Sequence, residues 1–330
     1  MTVMSLLTVE GLQVHFGHEG NQVQALYDVD LTIEPGEIVG LVGESGSGKT
    51  VTSLALMGLL DPRSSRIEGR AVLDGKPLWQ GKGEKRTPRR DLPMAMIFQE
   101  PMTALDPVFT VGYQLVETLR IRRGMGKSEA RTESLSLLDA VGISDPKARM
   151  KAYPHELSGG MRQRVMIAIA LACDPKLLIA DEPTTAVDVT IQAQLLDLIK
   201  NLAKERGMAV LFVTHDLGVV SETCDRMITM YAGRIVERGP VAEVLASPGH
   251  PYTAGLLAAL PSPESRGGRL ATIPGRVPPP GLTIPGCVFE SRCPYSQPEC
   301  SVPQALLPLT PTREVRCIRS NELDFEGVAP

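Results

Sequence analysis

The apolar run Glu37 to Val42 ends directly in Gly43-Glu44-Ser45-Gly46-Ser47-Gly48-Lys49-Thr50, and a helical stretch opening at Val51 follows through Leu54 and Met57. Strand, G-x-x-x-x-G-K-[ST] loop and helix in this order leave few folds open, because the loop works only when a buried strand delivers it and a helix N-terminus receives it. The glycines let backbone N–H groups converge on phosphate oxygens, and the helix dipole favours the negative charge. Lys49 is placed to reach the β and γ phosphates of a nucleotide, and the Thr50 hydroxyl to ligate Mg²⁺. The expectation is a nucleotide site built from Gly43, Glu44, Ser45, Gly46, Ser47, Gly48, Lys49, Thr50 and Val51.

Three further apolar runs have the same character: Met94 to Phe98, Leu177 to Ala180 and Val210 to Thr214, each ending at a polar residue. Alternating with amphipathic helical segments, they predict an α/β fold with a parallel sheet whose carboxyl ends hold the ligand. The run Leu177 to Ala180 ends in Asp181 and Glu182. A buried strand that delivers two acids to a phosphate site supplies a Mg²⁺ carboxylate, Asp181, and a residue to act on the attacking water, Glu182, as general base or as orienting group.

Leu157-Ser158-Gly159-Gly160-Met161-Arg162-Gln163 precedes another apolar helical run. Ser158 and the two glycines present a second helix end with unpaired N–H donors. The helical region from about Val111 to Ala170 is interrupted by Gly124, Gly126, Gly142 and Pro154, with Ser128 as an expected N-cap, and its length predicts a helical subdomain inserted in the sheet. A core-facing helix is expected from Thr190 to Gly207, where Ile191, Leu195, Leu198 and Leu202 form one stripe.

Composition excludes several functions. The chain has 330 residues, 22% of them charged and 43% hydrophobic, which suits globular domains and not disorder. A formal charge of -4 gives no positive field to hold nucleic acid, so no nucleic-acid partner is expected. The basic run Lys82 to Arg90 reads as a solvated loop. No apolar stretch has the 18 to 20 residues or so that cross a bilayer, and Met1 to Phe16 lack a basic n-region and an unbroken apolar h-region, so a cytoplasmic location is expected.

Taken together, the loop at Gly43, the acids at Asp181 and Glu182 and the Leu157 to Gln163 segment resemble the ATP-binding subunits of ABC transporters, whose signature is L-S-G-G-Q. Here Met161 displaces the glutamine. The resemblance implies a P-loop NTPase (RecA-like) ABC nucleotide-binding domain. It implies that Gln99 senses Mg²⁺ and the membrane partner, that His215 is the switch histidine near the γ-phosphate, and that Asp188 is the D-loop aspartate. Phe16 aligns with the aromatic that stacks on adenine and fits a plain strand residue equally well. The family architecture implies a head-to-tail pair of ATPases in which Ser158, Gly159, Gly160, Gln163 and Asp188 of one subunit meet the ATP held by the other.

Met96-Ile97-Phe98-Gln99-Glu100-Pro101-Met102-Thr103-Ala104-Leu105, the run Glu182 to Gln194, and His250-Pro251-Tyr252-Thr253 resemble the dipeptide and oligopeptide importer branch. That branch implies a sister ATPase, two transmembrane permease subunits, an extracytoplasmic solute-binding protein, and a peripheral place on the cytoplasmic face of the inner or plasma membrane. Relatives on this scaffold import nickel, glutathione or sugars. A soluble ABC ATPase acting on nucleic acid or ribosomes fits less well, since this chain has one cassette and a negative charge. The expected division is an ATPase domain over 1–250, with its helical subdomain at about 100–165, and a C-terminal extension over 251–330.

That extension begins with seven prolines between Pro261 and Pro285, which read as a semi-rigid connector. Cys287, Cys293, Cys300 and Cys317 then fall within the last 44 residues. Four clustered thiols in a reducing compartment suit metal rather than disulfides, and the set serves zinc or an iron-sulfur cluster alike; unliganded packing residues are the plain alternative. Resemblance to the importer branch, through Gly286-Cys287 and Arg292-Cys293-Pro294-Tyr295, implies a [4Fe-4S] cluster. Cys173 and Cys224, in helical runs, are expected to be packing residues.

Overall fold

The computed structural model describes residues 5–18, 21–80, 87–88, 91–99, 104–184, 189–260, 272–282 and 284–325. Twelve strands in these residues form two sheets: β1 (Leu7–Phe16), β2 (Val23–Ile33), β3 (Ile38–Val42), β4 (Ser65–Leu73), β5 (Lys76–Gln80), β6 (Met94–Ile97), β7 (Leu177–Asp181), β8 (Ala209–Thr214), β9 (Arg226–Tyr231), β10 (Arg234–Pro240), β11 (Leu307–Thr310) and β12 (Arg313–Val315).

The larger sheet has the order β11-β12-β10-β9-β3-β8-β7-β6, and its central ladder from β9 to β6 is parallel. The four apolar runs of the sequence are β3, β6, β7 and β8, wholly or almost wholly buried as helix-covered parallel strands must be. Register sets their ends side by side: Val42 beside Thr214, Asp181 beside Val213, and Ile97 beside Ala180. Residues just beyond those pairs therefore share one rim.

The smaller sheet, β2-β1-β4-β5, is antiparallel, and its strands alternate buried and exposed positions. It covers one face of the large sheet: Leu12, Leu31 and Leu73 pack with Leu41, Leu211 and Met230 around the helix Lys49–Leu56. Each fully buried leucine contributes about 2 kcal/mol relative to exposure.

The opposite face is covered by the helices Val111–Arg123, Lys127–Ala140, Gly159–Ala172 and Val189–Arg206. Leu115, Leu138 and Val165 from these helices share one core with Leu178, Val210 and Phe212 of the sheet. The expected stripe of the last helix is seen in Leu195 and Leu202, both buried, and the helix closes at Gly207 with φ +61°. Ser128 does not cap: it lies inside Lys127–Ala140, whose N-cap is Gly126, while Thr110 caps the preceding helix by accepting the Tyr113 N–H. A Gly-Lys-Ser order lets the helix start one residue before the only side chain that could cap it.

The C-terminal residues do not stand apart as a module. Beyond β9, strand β10 would be an open edge, and β12 pairs with it antiparallel, Glu237 opposite Val315, with β11 outside. Arg313 and Glu237, both buried, form an ion pair at 2.8 Å, and the same carboxylate accepts the N–H groups of Gly249 and His250. The basic residues of the run Lys82 to Arg90 and much of the Pro261 to Pro285 connector lie outside the described residues.

Candidate functional site

The phosphate loop leaves β3 through Gly43 at φ +153° and enters the helix through Gly48 at φ +109°. A Cβ on Gly43 would lie 2.2 Å from the Met230 carbonyl oxygen, and one on Gly48 2.8 Å from Leu26 Cδ2, so both backbone conformation and space require glycine. The loop is tied at its middle, where Gly233 N–H donates to the Ser47 carbonyl at 2.8 Å.

Lys49 is 6% exposed, and its Nζ donates to the carbonyl oxygens of Gly43 at 2.7 Å and Glu44 at 3.0 Å. Burial holds this ammonium below the usual lysine range, against the pull of the Glu182, Asp181 and Glu44 carboxylates. Ser45, Gly46 and Thr50 are exposed, Val51 is half-buried against the core, and Ser47 is buried with an Oγ that has no partner among the described residues.

Asp181 ends β7 and is buried; burial first, and then the Glu182 charge, raise its pKa to about 6, while a hydrogen bond from Thr50 and the Lys49 charge act the other way. Its Oδ1 is buried and unpartnered among the described residues. A carboxylate held this way beside a threonine hydroxyl is suited to a hard divalent cation, so Asp181 and Thr50 fit Mg²⁺.

Glu182 adopts φ +44°, a left-handed conformation that costs a non-glycine residue about 1–2 kcal/mol. Its backbone N–H donates to the Val213 carbonyl. Its carboxylate accepts from Gln99 Nε2 at 2.8 Å through one oxygen and lies 2.9 Å from His215 Nδ1 through the other. Gln99 follows β6 and His215 follows β8, so three adjacent parallel strands deliver Gln99, Glu182 and His215 to one point. Backbone strain of this kind is concentrated at active sites and ligand clamps.

Ser158 caps the helix Gly159–Ala172, and its Oγ accepts the Met161 N–H at 3.4 Å. Ser158 and Gly159 are exposed and Gly160 partly so, leaving this helix end open. Gln163 departs from the expectation of a nucleotide contact. It is 1% exposed, and its Nε2 donates to the Pro183 carbonyl at 2.7 Å. One turn into the helix it falls on the buried face with Met166, Ile167 and Ala170, so it joins this helix to the segment after Glu182. Phe16 is half-buried at the end of β1, paired with Val23 and Ser65 and packed against the core. Asp188 lies outside the described residues, as do Glu100 to Thr103.

Two residues that the sequence reading did not place at this site reach it from the C-terminal part. Tyr252 Oη accepts the Glu44 N–H at 2.7 Å, and Arg292 pairs with the Glu44 carboxylate. Both lie in segments already noted, His250 to Thr253 and Arg292 to Tyr295, but no local pattern links positions more than 200 residues apart.

Cys287, Cys293, Cys300 and Cys317 line one small pocket with His250, Phe289 and Arg319, and Cys287 N–H donates to the Cys300 carbonyl at 2.7 Å. All four are free thiols. Burial raises Cys293 and Cys317, and pushes Cys287 up to about 11. The expected metal module is not formed as such: among the described residues no group of three or more His, Cys, Asp or Glu stands close enough to hold a metal ion. The donors have the right chemistry for a soft metal and share one pocket, but the short 3₁₀ turns between Cys287 and Cys300, and strands β11 and β12 before Cys317, leave the sulfurs outside a ligating set. Cys173 and Cys224 pack against the helix-covered core, as expected. No helix among the described residues is long and apolar enough to cross a membrane.

Comparison with known proteins agrees with this geometry. Residues 26–185 match the family described as ABC transporter, and residues 236–300 match the oligopeptide/dipeptide transporter, C-terminal region. A protein of Brucella abortus (strain 2308) is 48% identical over 312 residues, 94% of each chain, and one of Brucella ovis is 48% identical over 338 residues, 98% of this chain and 99% of its own. Both are named "Putative peptide import ATP-binding protein". The dimeric post-hydrolysis structure of the ATP-binding cassette MJ0796 bound to ADP and Pi superposes with a TM-score of 0.61 at 29% identity, over 71% of this chain and 98% of that one. The structure of cbiO1 from Clostridium perfringens, part of the ABC transporter complex cbiONQ, gives 0.60 at 29% identity, over 73% and 91%. With its phosphate loop, its acidic strand end and its relatives all in accord, the chain belongs to the ABC transporter family, as an ATP-hydrolysing subunit.

Proposed function

We propose that this subunit powers the import of di- and oligopeptides. The observation that carries the catalytic part is the convergence of Gln99 and His215 on the strained Glu182, beside the phosphate loop. Support for the cargo comes from the names of the 48% identical relatives and from the match over residues 236–300.

In this reading Gly43 to Val51 cradle the phosphates of ATP, Lys49 leaves its loop carbonyls for the β and γ oxygens, and Phe16 stacks on adenine. Thr50, Asp181 and Gln99 would hold Mg²⁺, whose charge would offset that of the phosphates. Glu182 acts on the attacking water, as base or as orienting group, and His215 and Gln99 hold its carboxylate in place. The open helix end at Ser158, Gly159 and Gly160, with Asp188, binds the ATP of a second ATPase subunit, a sister chain packed head to tail. Gln163 keeps that helix end in register with Glu182 and does not itself touch nucleotide.

Closure of the pair by ATP and its release by hydrolysis shift the population of two states. The helices between about 100 and 165 pass that change to two permease subunits, which receive cargo from an extracytoplasmic solute-binding protein. The chain then lies on the cytoplasmic face of the membrane, with residues 1–250 as the ATPase domain and 251–330 as an extension that shares its sheet. Within the extension, Cys287, Cys293, Cys300 and Cys317 would hold a [4Fe-4S] cluster, with zinc as the alternative, only if the bound group itself drew the four thiols of this shared pocket into a ligating set.

Purification from native membranes in mild detergent tests the assembly: two polytopic proteins and a second ATPase are expected. Reconstituted in vesicles with a solute-binding protein, the complex is expected to take up a labelled peptide in an ATP-dependent way. Uptake of nickel, glutathione or a sugar in place of peptide would replace the cargo, and recovery of ribosomes or nucleic acid would replace the function.

A further inference from the structure

Glu44, the second residue of the phosphate loop, is held by residues from the far end of the chain. Arg292 donates to its carboxylate twice, Nη1 to Oε2 at 2.7 Å and Nη2 to Oε1 at 3.0 Å, the paired fork geometry that fixes direction as well as distance. The Glu44 backbone N–H donates to Tyr252 Oη at 2.7 Å, and its carbonyl accepts from Lys49 Nζ. Acid, amide and carbonyl of this one loop residue are therefore all engaged, two of the three by the C-terminal part.

The Arg292 side chain is only 4% exposed. Its Nε donates to the Pro274 carbonyl at 2.7 Å, its Nη2 also to the Ile273 carbonyl at 3.2 Å and its Nη1 to Tyr231 Oη at 3.3 Å, and the guanidinium lies over the Tyr231 and Phe289 rings. Hydrogen bonding by Glu44 raises the arginine pKa further. A charge so enclosed is costly to leave unpaired, so loop and guanidinium hold each other in place. Arg292 is also the residue before Cys293, in the 3₁₀ turn that links Cys287 to Cys293, and Phe289 lines both the guanidinium and the thiol pocket.

From these contacts we infer that Arg292, assisted by Tyr252, is a positioning residue of the nucleotide site. Through Glu44 it keeps the row of loop amides in the curve that accepts phosphate, and through its own turn it joins the thiol pocket to ATP affinity. A change in the backbone at Cys287 to Cys293 is then felt at the phosphates. This inference rests on the nucleotide site described above.

The test measures MgATP affinity with a fluorescent analogue, and kcat and KM separately, in the full chain carrying Glu44→Gln, Arg292→Lys, Arg292→Met and the Glu44→Gln/Arg292→Met pair. Glu44→Gln keeps one acceptor for the Arg292 fork, and a thermal melt of each variant separates a lost fold from a lost coupling. Weakening of MgATP binding by roughly tenfold is expected in Glu44→Gln and in Arg292→Met, seen in KM far more than in kcat. Arg292→Lys recovers part of it, and the double variant is no worse than the weaker single one. Affinity within twofold of the unaltered protein in Glu44→Gln, or additive losses in the double variant, overturns the coupling. Lys49→Ala in the same assay separates this from the underlying reading: lost binding there with normal Glu44→Gln rejects the coupling alone, whereas normal binding in Lys49→Ala rejects both.

Discussion

The nucleotide end and the thiol pocket of this chain differ in how their groups are brought together. At the nucleotide end, neighbouring parallel strands stop in register, and the residues just beyond them, Gly43, Gln99, Glu182 and His215, meet because the sheet leaves them no alternative. Around the thiols there is no such frame. Cys287, Cys293 and Cys300 sit on or beside short turns, Cys317 just past the edge strand β12, and the four share a pocket without forming a ligating set. A site imposed by a sheet exists before its ligand arrives, whereas a site on irregular backbone takes its final geometry from the ligand.

The comparison predicts the largest effects where the frame is rigid. Lys49→Ala is expected to lower ATP turnover by two to three orders of magnitude, the loss of about 3–4 kcal/mol typical of one preorganised charge contact to a reacting group. Retained turnover in a steady-state ATPase assay would show that the loop is not the phosphate site. A pH profile sharpens the same side. Asp181, with its pKa raised to about 6, takes up a proton as the pH falls through 6 and loses the charge that suits Mg²⁺. At limiting Mg²⁺ the ATPase is therefore expected to fall below about pH 6, the acid limb moving lower as Mg²⁺ is raised; an acid limb that does not move with Mg²⁺ would contradict the assignment.

On the thiol side, protein purified without oxygen is expected to be brown, and Cys293→Ser to lose the colour and, through the adjacent Arg292, to weaken ATP binding without abolishing it. A colourless preparation with one zinc per chain would identify the alternative metal. After the metal is stripped, Cys287 is expected to react with iodoacetamide far more slowly than glutathione at pH 8, because burial holds its thiol near a pKa of 11. The smallest effect belongs to Ser158→Ala. Loss of this N-cap costs about 0.5–1 kcal/mol, which lowers the melting temperature by a few degrees at most and leaves single-subunit ATP binding unchanged.

How far the sequence speaks follows the same division. Strands β3, β6, β7 and β8 are legible as apolar runs with polar endings, and the loop at Gly43 needs only the residues around it. Gln163 was legible in principle, since it stands one turn before Met166 and Ile167 on a helix face that is otherwise apolar, but the motif drew it to the surface. Strand β12 was not legible: three residues, Arg-Glu-Val, carry no period, and only the open edge of β10 explains them. Nor were the contacts of Arg292 and Tyr252 with Glu44, because a pairing across more than 200 residues is decided by tertiary packing. The four thiols were visible as a group, and their residue types left zinc and an iron-sulfur cluster equally open, with packing as the lesser alternative.

The measurement that bears most directly on the account is ATP binding and turnover in Glu182→Gln. This substitution keeps the size of the side chain and its reach to Gln99 and His215 while removing the charge that would act on water. ATP binding at unaltered affinity is predicted, with turnover reduced by at least two orders of magnitude. Turnover close to that of the unaltered chain would show that the point where three strands converge is not where ATP is cleaved.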